Sequence, residues 1–106
     1  MRIEYNMPVA GEHFSIRVYT SNIEVRSIKF SAFESRTKIL IWEHECPDPP
    51  CHEHFRIPIN FKRNYMILRI SDKEELHELL FYFNEFGIGK LEKENIEKPK
   101  RNFETL

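Results

Sequence analysis

The sequence predicts an α+β fold: an antiparallel β-meander of about six strands with one C-terminal α-helix packed on it. Three observations lead there. Short runs of alternating apolar and polar residues fill most of residues 2 to 70. Turn-forming residues at Pro8, Gly11, Ser21-Asn22 and Pro47 to Pro50 separate those runs at strand-length intervals. Leu76, Leu79, Leu80, Phe83 and Phe86 then recur at helical spacing as one apolar stripe. The meander is open to closing part-way into a barrel with the helix at its mouth.

The elements follow in order. Arg2 to Met7 reads as a first strand stopped by Pro8. In His13 to Thr20, Phe14, Ile16 and Val18 alternate with polar neighbours, the period of a strand with one buried face. Ile23 and Val25 continue the alternation, but Ile28 and Phe30 fall on the other parity, which predicts a β-bulge near Arg26-Ser27. Residues 37 to 59 form a hairpin about a Pro-rich tip, and Tyr65 to Ile70 a last strand. Ser71 with Glu74 has the spacing of a capping box, and Asp72, Glu74 and Glu75 suit the positive end of a helix. Gly87 supplies the left-handed stop. From Gly89 the chain is charge-dense, with room for a short strand or helix before Pro99, so residues 1–98 are expected to form one domain and 99–106 an untethered charged tail. This outline resembles pleckstrin-homology-like domains in architecture alone, with about six strands where that fold has seven.

The hairpin tip concentrates the chemistry, since both cysteines and three of the five histidines lie there. If Pro47, Asp48, Pro49 and Pro50 form the loop, Cys46 faces Cys51 and every other pair is set by the period of two. Trp42 then opposes Phe55, and His44 opposes Glu53. Cys46 and Cys51 are candidates for a disulfide, for two free thiols, or, with His44 and Glu53, for a zinc site, since thiolate and imidazole are the ligands zinc prefers. On the other face Glu45 opposes His52 and Glu43 opposes His54. Such a His-x-His pair presents both rings on one side, as a strand-borne catalytic metal site requires, with a third ligand from His44 or Glu43. The plainer expectation there is two cross-strand carboxylate–imidazole pairs.

Composition narrows the function. The 106 residues suffice for one core, and a net charge of −1 argues against a general polyanion binder. Arg17, Tyr19, Arg26 and Lys29 nevertheless suggest a basic, aromatic sheet surface for single-stranded nucleic acid. There is no Gly-rich phosphate loop and no nucleophile motif. No apolar run reaches the length of a signal peptide core or a membrane span, so a soluble cytoplasmic protein is expected. Absent Gln and abundant Ile, Glu, Lys and Arg carry the bias of thermophile proteins, in which an intracellular disulfide is acceptable. The reading is a non-enzymatic interaction domain with a protein partner, able to dimerise through a sheet edge near Pro58. A metal-dependent enzyme and a single-stranded nucleic-acid accessory protein are the alternatives.

Overall fold

The computed structural model describes residues 1–98, so the charged tail from Pro99, with Phe103 and Leu106, lies outside the described residues. Eight strands follow one another: β1 (Arg2–Tyr5), β2 (His13–Tyr19), β3 (Ser27–Glu34), β4 (Leu40–Pro47), β5 (Cys51–Arg56), β6 (Asn64–Ser71), β7 (Leu76–Phe83) and β8 (Gly89–Glu97). They form two antiparallel sheets, one of order β1-β2-β5 and one of order β4-β3-β6-β7-β8. The expected α+β fold with a C-terminal helix is therefore incorrect: the described chain is all-β, as two open sheets rather than a partly closed barrel, and the likeness to pleckstrin-homology-like domains goes with the helix that suggested it.

The helix failed because its stripe is compatible with both periods. Read with period two, His77, Leu79, Phe81 and Phe83 fall on one face, and all four are buried. Leu76, Leu80 and Tyr82 occupy the opposite face, so both faces are apolar and the helical stripe was a subset of them. The capping signature has the same double meaning. Asp72 Oδ1 accepts from the amides of Glu74 at 2.7 Å and Glu75 at 2.9 Å, which turns β6 into β7 instead of starting a helix. Gly87 does adopt a left-handed backbone, with φ of 79°, but in the turn between β7 and β8. A β-carbon there would lie 2.7 Å from that of Ala10.

The parity slip after Val25 also has another cause. Residues 20–26 are a connection pinned by Asn22, whose side chain accepts from the Glu24 amide at 2.9 Å, and Ile23 is 91% exposed. Register shifts occur elsewhere, between Ala32 and Phe33 against β4 and between Leu80 and Phe81 against β8. β2 matches its expectation, with Phe14, Ile16 and Val18 fully buried.

The two sheets pack face to face over one core. Phe14 and Phe55 of the smaller sheet meet edge-to-face, and Phe14 makes a similar contact across the core to Phe81 at 5.7 Å between centroids. Ile28, Phe30, Met66, Leu68 and Ile70 complete the inner face of the larger sheet. Strand and helix assignments for β7 make opposite demands on two phenylalanines. Phe81→Ala should cost about 3–5 kcal/mol, as for a buried ring, whereas Phe86→Ala, at a position 72% exposed, should change stability by less than about 0.5 kcal/mol. Urea unfolding of the two variants checks this, and the reverse order would restore the helix.

Candidate functional site

β4 and β5 are consecutive, yet they belong to different sheets: β4 pairs only with β3, and β5 only with β2. Residues 48–50 carry the chain from one sheet to the other, so the predicted ladder hairpin is absent. Its inner side-chain pairs survive nonetheless. Trp42 stacks on Phe55 at 4.7 Å between centroids and 13° between planes, and His44 Nε2 lies 3.4 Å from Glu53 Oε1. Cys46 and Cys51 are joined in a disulfide with a Cα separation of 6.2 Å, and both are buried. These pairs meet across the gap between the sheets, and the disulfide is a covalent link between two edge strands.

The outer pairs do not survive. Glu43 and Glu45 lie on the outer face of the larger sheet, opposite Ser31 and Lys29 of β3. His52 and His54 lie on the outer face of the smaller sheet, opposite Arg17 and Ser15 of β2. The two carboxylate–imidazole pairs are thus separated by the thickness of the sandwich, and neither Glu43 nor the inward-facing His44 can complete a site with His52 and His54. His54 has a different neighbour: the His13 ring lies 5.4 Å away. Position 13 was unremarkable in the sequence, and the signal that could have found it was its place on the polar parity of β2. Among the described residues no group of three or more His, Cys, Asp or Glu is placed to hold a metal ion. With their sulfurs bonded to each other, Cys46 and Cys51 offer no thiolate in this structure.

The proposed nucleic-acid residues also divide. Arg17 and Tyr19 are on the outer face of the smaller sheet, Arg26 is in the connection before β3, and Lys29 is on the outer face of the larger sheet. Arg2 lies over the Tyr19 ring, 4.4 Å from its centroid.

At the opposite edge, where β1 faces β7 and β8, Glu75 collects the cations. Its Oε1 lies 2.9 Å from the Met1 amino group and 3.3 Å from His77 Nε2, and its Oε2 is 3.9 Å from Lys98 Nζ. Burial pushes the Glu75 carboxyl up, but its hydrogen bonds and attraction to the amino group and His77 together outweigh this and hold it below the usual carboxylate range. The Tyr5 phenol is pushed up, first by burial and then by the Glu94 carboxylate. A hollow of about 540 Å3 beside this cluster is lined by residues of both charges, including Lys29, Glu43, Arg69, Asp72 and Glu97.

Closing the short 46–51 loop should stabilise the fold by about 2 kcal/mol on the chain-entropy model. A Cys46→Ser, Cys51→Ser double variant should lose that amount in urea unfolding, and the intact mass should rise by two hydrogens on reduction. Glu75 gives a pH dependence of determined sign. Because its folded pKa is depressed, its contribution is present above the unfolded carboxylate value and lost as pH falls through the folded one. The stability difference between the parent protein and Glu75→Gln, measured by urea unfolding at a series of pH values, should therefore be present at neutral pH and close in acid. Known proteins offer no further guide: no family model, no curated protein and no solved structure matches the chain.

Proposed function

We propose that the protein is a small non-enzymatic interaction domain that binds a protein partner on the open face of its five-stranded sheet, with the 46–51 crossing as a structural clamp. One observation carries this reading. An open antiparallel face is ordinarily polar, but here the outer register Leu40–Phe33–Ile67–Leu80 runs across four strands as a continuous apolar row. The adjacent Tyr65 and Tyr82 extend it, with rings 4.9 Å apart. Leu40 is 45% and Tyr65 42% exposed. A contiguous apolar patch of this kind is the usual mark of a protein contact surface.

The rim indicates what the partner carries. In register, Tyr82 is followed on β8 by Lys90 and Leu80 by Lys93, both exposed. On the side of the row nearer the 71–76 turn, Arg69 and Glu78 neutralise each other at 3.0 Å, and the exposed Glu43 stands beyond Ser31, at the end of the row away from Lys90 and Lys93. Charge complementarity therefore favours a partner presenting apolar side chains flanked by acidic ones.

Selection from a displayed peptide library tests this directly. The parent protein should enrich peptides with two or more apolar residues beside Asp or Glu, and Leu80→Lys or Ile67→Lys should weaken binding of those peptides by tenfold or more, a loss of about 1.4 kcal/mol. No enrichment, or enrichment indifferent to both substitutions, would overturn the proposal. Sedimentation showing a dimer that Leu80→Lys dissociates would replace the partner with a second copy of the chain.

A further inference from the structure

The outer face of the smaller sheet is the opposite of the apolar one. Its outward positions are Arg2 and Glu4 on β1, His13, Ser15, Arg17 and Tyr19 on β2, and His52, His54 and Arg56 on β5. Three arginines and three histidines stand against one glutamate, on a chain whose net charge is −1 with histidine neutral. None of these six basic side chains lies within ion-pairing distance of a carboxylate among the described residues. Basic groups without an ion-pair partner thus outnumber carboxylates on this face, although the chain as a whole is slightly negative.

We infer that this face binds single-stranded nucleic acid along the β2 direction. The basic groups form rows: Arg2 beside Tyr19, then Arg17 between Glu4 and His52, then His54, then His13 with Arg56. Successive rows on one face of a strand are about 6.6–6.8 Å apart, a step comparable with that between phosphates of an extended single strand. A hollow of about 410 Å3 lined by Glu4, Tyr5, Asn6, Ser15, Arg17 and His52 gives the surface relief between rows. The exposed imidazoles of His13, His52 and His54 supply flat rings on which bases stack, while the Tyr19 ring is covered on one face by Arg2. Nothing projects from the sheet to enter a duplex groove, and no outward side chain of the set is aliphatic, as insertion into a lipid surface would require.

Fluorescence anisotropy of a labelled oligothymidylate with the full chain tests the inference at low salt. Binding is expected to weaken steeply with added salt. Arg17→Glu with Arg56→Glu should weaken it by about tenfold or more, Arg17→Gln with Arg56→Gln by less, and Lys29→Ala on the other sheet not at all. Thermal melts confirm that each variant is folded. No binding at low salt would overturn the inference, as would equal weakening by Lys29→Ala. Binding to phosphatidylserine vesicles with none to the oligonucleotide would assign the face to a lipid surface instead.

Discussion

Between Pro47 and Cys51 the chain leaves one sheet and enters the other, and the flanking strands share no ladder of backbone hydrogen bonds. That edge of the sandwich is held by side chains alone. The Trp42–Phe55 stack seals the core there, the His44–Glu53 contact lies beyond it, and the Cys46–Cys51 disulfide stands next to the crossing. Each strand keeps its own partner, β3 for β4 and β2 for β5, so both remain edge strands whose outer faces point in opposite directions. The opposite edge is closed differently, by the buried Glu75 carboxylate among the Met1 amino group, His77 and Lys98.

This arrangement sorts surface chemistry onto two sides. Residues adjacent in the chain, such as Glu45 and His52, finish on opposite faces of the molecule, which breaks up what looked like one cluster of metal-binding types. Two contrasting open surfaces result. The larger sheet exposes a row of aliphatic and aromatic side chains bordered by Lys90 and Lys93, and the smaller exposes arginine and histidine. On the proposed contacts, two independent faces would join two kinds of partner, and the disulfide, by linking the sheets at one edge, would fix their relative orientation.

Much of the sheet was legible from local pattern, because the alternation of β2 is unambiguous and the short apolar run of β6 is bounded by polar residues. The inner contacts at residues 42–55 were legible too, since any antiparallel approach about a four-residue tip brings Trp42 to Phe55 and Cys46 to Cys51, whether through a ladder or across a sandwich. Which of these two applied was not legible, because it depends on β2 and β3 competing for the same edges from a distance in sequence. The helix over Leu76 to Phe86 was misread for a different reason. A strand apolar on both faces can hold most of a helical stripe, and the acceptor expected from Ser71 at a helix start is supplied instead by Asp72 in a turn. The polar parity of β2 put His13 on the outer face, but its closeness to His54 follows from the pairing of β2 with β5, which is distant in sequence.

The crossing between sheets is tested most directly by amide hydrogen exchange resolved along the chain, with and without reductant. If the disulfide joins two edge strands that share no ladder, reduction should speed exchange in β4 and β5 together while β2, β3, β6 and β7 keep their protection. Protection of β4 and β5 unchanged by reduction, as a hydrogen-bonded hairpin would give, would contradict it.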